Sequence, residues 1–346
     1  MPRLKVAVLH GGRSGEHEVS LRSAASVAAA LALRHEVLPV RLDRQGRWWL
    51  GSEAVFVEPT PEDRGRLRSQ RDGSVLAEPQ VYFPVLHGTF GEDGTVQGLL
   101  ELAGVPYVGS GVAASATAMD KALMKALFAQ AGLPQVAYRV LRARDPRAEE
   151  AALDELGLPL FVKPANLGSS VAVSKVKRGA DLGPALDLAL QYDRKVLVEA
   201  AARSPRELEI AVLGNDRAQA SCPGEIVPDR EFYDYDSKYS ADSRTELHIP
   251  AAVGEGLAAE LRALALRAFA SVDAAGFARV DFFLERESGR LLVNEINTIP
   301  GFTSISMFPK LWEASGLPYA ELVDRLVELG RERHAQRAAL RTDFRS

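Results

Sequence analysis

Two apolar stretches, Gly276–Leu284 and Arg290–Asn297, flank the polar turn Glu285–Gly289, and this pattern limits the local fold to an antiparallel hairpin. Side chains alternate faces along a strand. Arg279, Asp281 and Phe283 therefore share one face, and Leu291, Val293, Glu295 and Asn297 share another. A register centred on Ser288, one of those the sequence leaves open, would set Asp281 opposite Glu295 and Arg279 opposite Asn297. A slip of one residue would send the two polar sets to opposite faces. Directly opposed carboxylates repel, and a bound cation is the simplest remedy. Two carboxylates and one amide oxygen form a hard donor set, suited to magnesium or manganese rather than zinc. A solvated acidic strand face is the competing reading of the same spacing.

The first third of the chain alternates strand and helix signals. The run Leu4–Leu9 has the continuous apolar character of a buried parallel strand, and Gly11-Gly12-Arg13-Ser14-Gly15 and an amphipathic helix over His17–Leu33 follow it. Strands are expected at Glu36–Leu42 and Val81–Leu86, then a loop, His87–Gly94, and a helix to about Ala103. Strand, Gly-rich loop and helix in repeated order predict a doubly wound parallel sheet, which binds ligands at its strand carboxyl ends. The segment Trp48–Glu78 lacks clear periodicity and reads as a surface excursion. Asp120 is a good helix N-cap for a helix running towards Gly132. Strands at Val136–Leu141, Leu160–Pro164, Val171–Val176 and Lys195–Glu199 then break the opening rhythm. A third unit starts near Pro205 with a strand at Glu207–Leu213, an irregular stretch at Pro228–Thr245 and a long helix at Glu255–Ala274. Helices at Ser306–Ala314 and Tyr319–Arg333 close the chain. The division this suggests is 1–115, 116–204 and 205–346.

At 346 residues the chain can bury a large core. Its 42 basic and 46 acidic residues leave a net charge of −4, so it carries no nucleic-acid footprint. One cysteine, Cys222, excludes an internal disulfide framework and reads as a structural thiol in a reducing compartment. Met1 leads directly into an apolar strand with no signal-peptide pattern. No apolar run approaches the ~20 residues needed to span a bilayer. A cytoplasmic protein acting on small molecules, with neither nucleic acid nor membrane as partner, is the expectation. His17, His35 and His248 read as surface residues.

Phosphate handling narrows the class further. No P-loop is present, and Gly11-Gly12-Arg13-Ser14-Gly15 lacks the ribose-binding acid of a nicotinamide enzyme. Lys163-Pro-Ala-Asn-Leu-Gly168-Ser169-Ser170-Val171 is the stronger element: a lysine at the end of a buried strand, then a loop whose N–H groups can cradle phosphate oxygens. Lys121, at a helix start, can add a second charge.

Taken in order, Met-Asp-Lys121, Lys163-Pro-x-x-x-Gly-Ser-Ser, Val-Leu-Val-Glu199, Arg-Glu207-Leu-Glu and Arg279-x-Asp281…Glu295-x-Asn297 resemble the ATP-grasp fold. Gly-Gly-Arg-Ser-Gly-Glu16-His-Glu-Val-Ser-Leu, His87-Gly-x-x-Gly-Glu-Asp-Gly, Phe-Tyr233-Asp-Tyr-x-x-Lys238-Tyr239 and Asn297-Thr-x-Pro-Gly301-x-Thr-Ser-x-Ser306 resemble, within it, the D-alanine:D-alanine ligases. The resemblance implies an α/β and α+β chain of three-domain ATP-grasp architecture, opening on a Rossmann-like parallel sheet. It implies ATP-dependent joining of two D-alanines through an acyl phosphate, for peptidoglycan synthesis, and a homodimer. A ligase making D-alanyl-D-lactate or another mixed product is the alternative, and the intact Lys238-Tyr239 favours an amine nucleophile over it. A binding-only ATP-grasp protein is disfavoured, because Asp281, Glu295 and Arg279 are all present.

By the same resemblance, Lys121, Lys163 and Lys238 hold ATP phosphates with Ser169 and Ser170, Glu199 reaches the adenine amino group and Glu207 binds the ribose. Asp281, Glu295 and Asn297 hold two magnesium ions, for which manganese can substitute. Arg279 and the Gly301 N–H stabilise the oxyanion. Glu16, aided by His87, holds the first D-alanine, and Ser306 with the Met307 backbone holds the second carboxylate. Glu16, Ser169 and Tyr239 form a triad beneath a lid at 228–245. Ala172 stands where the family has glycine, an exchange a β-strand tolerates. The link from Glu199 to Glu207 is one residue longer than in many members.

Overall fold

The structure is a computed structural model and describes residues 3–228, 245–303 and 305–341. Strands β1 (Lys5–Gly11), β2 (Glu36–Leu42), β3 (Trp48–Leu50), β4 (Glu53–Val57), β5 (Leu67–Ser69), β6 (Val75–Ala77) and β7 (Val81–Pro84) make the first sheet, in the order β6-β5-β4-β3-β2-β1-β7. Only β2-β1-β7 are parallel; β3 to β6 extend the sheet antiparallel. The region read as a surface excursion therefore continues the sheet. Its strands are three to five residues long, too short for period-2 alternation to register, yet Val55, Val57 and Leu67 are buried against Tyr82 and Leu100. Helix α1 (His17–Leu31) leaves the end of β1, and α2 (Thr95–Leu102) follows the loop after β7. The parallel strands thus direct their carboxyl ends, and the loops carrying Glu16 and His87, to one edge.

Helices α3 (Val112–Met119) and α4 (Lys121–Gln130) lead to a second, antiparallel sheet. It comprises β8 (Tyr138–Leu141), β9 (Leu160–Pro164), β10 (Ser174–Val176) and β11 (Val196–Ala200), in the order β10-β9-β11-β8. Helices α5 (Pro146–Leu156) and α6 (Leu182–Leu190) cover it. Asp120 caps α4 as expected, its Oδ1 accepting from the Ala122 and Leu123 N–H groups at 3.1 and 3.2 Å. The third sheet holds β12 (Pro205–Gly214), β13 (Gln219–Ala220), β14 (Gly224–Val227), β15 (Glu246–His248), β16 (Gly276–Glu285) and β17 (Leu291–Asn297). It runs β15-β14-β12-β16-β17, with β13 paired to β12. Helices α7 (Glu255–Ser271), α8 (Met307–Ala314) and α9 (Tyr319–Ala338) pack around it. No helix among the described residues is long and apolar enough to cross a membrane.

Packing divides these parts unequally. Phe83 of the first sheet meets Phe302 edge-on, with centroids 6.3 Å apart, and Phe302 meets Phe277 and Phe308 at 5.6 and 5.4 Å. This cluster joins the first and third sheets in one core with α1, α8 and α9. Burying each large apolar side chain contributes about 1.5–3 kcal/mol. The second sheet has a core of its own, whose buried members all fall between Leu141 and Val198. The first and third sheets are therefore fused to each other, and the second stands on a separate core.

The hairpin corrects the expected face assignment. Arg279 pairs with Asn297 and Asp281 with Glu295, the register centred on Ser288. Towards the turn Phe282 pairs with Val293 and Leu284 with Leu291, so Asn294 is an extra residue, a β-bulge. The bulge turns Leu291 and Val293 away from Glu295 and Asn297 and into the apolar core with Val280, Phe282 and Ile296.

Candidate active site

A cleft of about 1080 Å³ lies where the three sheets meet. Its wall includes Glu16, His87, Lys121, Lys163, Ser169, Ser170, Glu207, Arg279, Asp281, Glu295, Asn297, Gly301, Ser306 and Met307. These residues come from both ends of the chain, and folding gathers them into one cavity. Lys238 and Tyr239, with most of the 228–245 stretch, lie outside the described residues.

One face of the third sheet supplies the charges. Glu207 pairs with Phe283, Glu209 with Asp281 and Ala211 with Arg279 across β12 and β16. Glu209, Asp281 and Glu295 consequently stand in a row beside Arg279. The guanidinium grips Asp281 through two hydrogen bonds, Nε to Oδ1 at 2.6 Å and Nη2 to Oδ2 at 2.7 Å, and lies 3.1 Å from Glu209. Asn297 donates its amide to Asp281 at 3.1 Å, and Lys121 Nζ stands 3.8 Å from Glu295. Burial alone would lower the Arg279 pKa, but Asp281, Glu209 and Glu295 hold it well above its ordinary value. Among the described residues no three His, Cys, Asp or Glu side chains form a metal cage. Two carboxylates with an amide do fit a hard divalent ion that keeps waters or phosphate oxygens in its remaining positions.

The second sheet supplies cations. Lys163 Nζ lies 2.6 Å from Glu199 and Lys125 Nζ 3.4 Å from its other oxygen. Glu199 is 2 % exposed and sits behind Lys163, outside the cleft wall. Burial would raise its pKa, yet the two lysines pull it down to about 2. Desolvation lowers the Lys125 pKa, with Lys163 adding to it. Lys121 donates to the Leu167 carbonyl at 2.7 Å, so helix and glycine loop are tied together. Within that loop Ser169, Ser170 and Ala172 have φ of +50°, +59° and +55°. Ala172 is in a turn and the next strand begins at Ser174. The expectation that a strand absorbs this alanine therefore fails: the conformation is one that glycine adopts without strain.

The first sheet supplies Glu16. Ser169 Oγ donates to it, joining the glycine loop to the N-terminal wall. Gly88, at φ +73°, leaves room for the carboxylate; a Cβ there would lie 2.6 Å from Glu16 Oε2. His87 points both ring nitrogens at protein groups, Nδ1 to the Ile299 carbonyl at 3.0 Å and Nε2 to Ser23 Oγ at 3.1 Å. Burial keeps its pKa low, and the ring braces the wall behind Glu16. His17 and His35 are also buried, contrary to expectation, because Gly12 O at 2.7 Å and Asp324 at 2.8 Å satisfy them. Ser306 Oγ bonds Thr303 Oγ1 at 2.7 Å, and a side chain at Gly301 would meet it at 2.8 Å. Cys222 is a free thiol directed at the Leu311 carbonyl, 3.6 Å away.

Sequence reasoning assigned no role to Glu92, Lys125, Glu209 or Lys310. Glu92 lines the cleft and accepts from the Gly88 and Ile299 N–H groups at 2.7 and 3.2 Å. Burial first, then the Glu16 charge, push its pKa up to about 8. Lys125 and Lys310 each lie four residues after a site residue on a helix, a spacing that places them on its face.

Comparison with known proteins decides the family. The model for the D-alanine:D-alanine ligase N-terminus matches residues 5–110, and that for its C-terminus matches 127–328. The chain belongs to the D-alanine:D-alanine ligase family. A D-alanine:D-alanine ligase of Heliobacterium modesticaldum is 52 % identical, with 97 % of each chain covered, and one of Deinococcus radiodurans is 51 % identical, covering 95 % of this chain and 98 % of that one. The D-alanine-D-alanine ligase structure from Coxiella burnetii superposes with a TM-score of 0.85 at 36 % identity, over 98 % of this chain and 97 % of its own. The D-Ala:D-Ser ligase VanG of Enterococcus faecalis superposes at 0.83 and 32 % identity, over 95 % and 99 %. The ATP-grasp architecture expected from the sequence is thus the fold of the family.

Proposed function

We propose that the chain joins two D-alanines into D-alanyl-D-alanine at the expense of ATP, through a D-alanyl phosphate, and so serves peptidoglycan precursor synthesis. The observation that carries this reading is the single cleft in which a carboxylate row, a lysine pair and Glu16 converge from three sheets. The first carboxylate attacks the γ-phosphoryl group and ADP leaves. The amine of the second D-alanine then attacks the acyl phosphate carbonyl, and phosphate leaves with a carboxylate oxygen.

Lys121 and Lys163 hold the phosphates, assisted by the N–H groups of Ser169 and Ser170; Lys238 and Tyr239 retain the roles the resemblance gives them. Glu207 takes the ribose, and Glu199 is read as the adenine partner, reached past Lys163. Asp281, Glu295 and Asn297 would hold magnesium, or manganese in its place, which when bound offsets phosphate charge. Glu16 pairs with the first ammonium. Arg279 and the Gly301 N–H face the developing oxyanion, where preorganised donors are worth most. Ser306 and the Met307 N–H receive the second carboxylate. The three-part division at about residues 115 and 204, the cytoplasmic location and the homodimer belong to the same reading.

The test is phosphate release with product identification, using ATP and magnesium with D-alanine, L-alanine, or D-alanine plus D-lactate. Dipeptide formation with D-alanine alone supports the proposal. A depsipeptide as the main product would favour the mixed-product alternative, and phosphate release indifferent to amino acid would overturn both.

A further inference from the structure

Lys310, a cation on the cleft wall, has no counter-charge among the described residues. Lys310 lies on α8 one turn beyond Ser306 and lines the cleft with Met307, Ile226 and Leu247. The two lysines on the opposite side are compensated, Lys121 by Glu295 and Lys163 by Glu199. Lys310 is half-buried, and among the described residues no carboxylate lies within ion-pairing distance of it. Its helix position adds to the imbalance. The first turn of α8 contains no acidic residue, and Ser306, at the N-cap, makes no capping bond because its hydroxyl is engaged with Thr303. Free N–H groups and the positive end of a helix favour an anion and disfavour a cation. A lysine held there half-desolvated implies that an anion fills the space in the working complex.

We propose that Lys310 is the counter-charge for the carboxylate of the second amino acid, and hence a residue that sets acceptor specificity. The inference rests on the ligase reading above and deepens it: Ser306 and Met307 N–H orient the carboxylate, and Lys310 supplies the charge that distinguishes an acid from its amide.

The experiment compares the full-length protein with Lys310→Met and Lys310→Arg at saturating ATP and magnesium. Hydroxylamine traps the D-alanyl phosphate as a hydroxamate and reads the first half-reaction without the acceptor site. D-alanine and D-alaninamide then compete as acceptors. Lys310→Met is expected to raise the acceptor KM roughly tenfold, as loss of one partly screened charge-assisted contact does. Hydroxamate formation and the ATP KM stay as in the parent, and the preference for D-alanine over its amide falls by the same factor. Lys310→Arg restores that preference, which a purely structural lysine would not govern. An unchanged acid-to-amide ratio in Lys310→Met, or equal losses in hydroxamate and dipeptide, overturns the assignment. Absence of hydroxamate from the parent protein overturns the ligase reading itself, and this inference with it.

Discussion

Removing Arg279 should separate stability from catalysis in a way only its position allows. In the structure it bridges Asp281, by two bonds of 2.6 and 2.7 Å, to Glu209 at 3.1 Å. Arg279→Ala leaves these carboxylates, with Glu295, close together and largely desolvated. Deleting one partner of a buried ion pair costs about 3–5 kcal/mol. Unfolding entropy near ~2.1 cal/mol/K per residue over 346 residues amounts to ~0.7 kcal/mol/K. The thermal midpoint of the metal-free variant should then fall by roughly 4–7 °C. Magnesium with a non-hydrolysable ATP analogue should recover most of that loss, because Asp281 and Glu295 then regain a cation. kcat should still drop about 10²–10³-fold, since the lost donor acts on charge that develops only in the transition state. Differential scanning with and without magnesium nucleotide, followed by steady-state kinetics, measures both. A metal-free variant as stable as the parent would refute the reasoning, as would a large loss of ATP affinity with kcat preserved.

Other consequences follow from individual residues. Ala172→Gly removes a left-handed alanine, which costs about 1–2 kcal/mol, though glycine's added freedom offsets part of this; the ATP KM should fall by up to ~5-fold, and a rise would mean the observed loop is not the binding conformation. Glu92, with its pKa raised from 4.5 to about 8, binds more protons folded than unfolded between those values. Its contribution to stability is therefore complete below pH 4.5 and is lost as pH rises through 8. Glu92→Gln should flatten the decline of the thermal midpoint between pH 5 and pH 9, and parallel slopes in variant and parent would contradict this.

Features set by one residue or one local spacing could be read in the sequence. The Asp120 cap is a contact between near neighbours, and the turn with period-2 alternation offered the pairing of Asp281 with Glu295 as one register, which the structure then fixes. Alternation cannot announce an extra residue, so the Asn294 bulge, which moves Val293 from the ligand face to the core, appeared only in the register. The strands between Trp48 and Ala77 escaped detection because each is stabilised by its neighbours across the sheet, not by its own pattern. Glu199 illustrates depth: its strand and residue type were legible, but its seat between Lys125 and Lys163 depends on a helix contributed from elsewhere in the chain. Ala172 was misjudged because a motif specifies residues and leaves backbone angles unstated.

The central claim is that a D-alanine carboxylate is phosphorylated before the peptide bond forms, and oxygen transfer tests it most directly. With D-alanine labelled by ¹⁸O in its carboxylate and unlabelled ATP in ordinary water, attack on the γ-phosphoryl group places a substrate oxygen on phosphorus. Expulsion of phosphate by the incoming amine then carries that oxygen away. Mass spectrometry of the released phosphate should find one ¹⁸O in each molecule, matched by one dipeptide. Phosphate carrying no label would mean that ATP is cleaved by water, and would contradict the account.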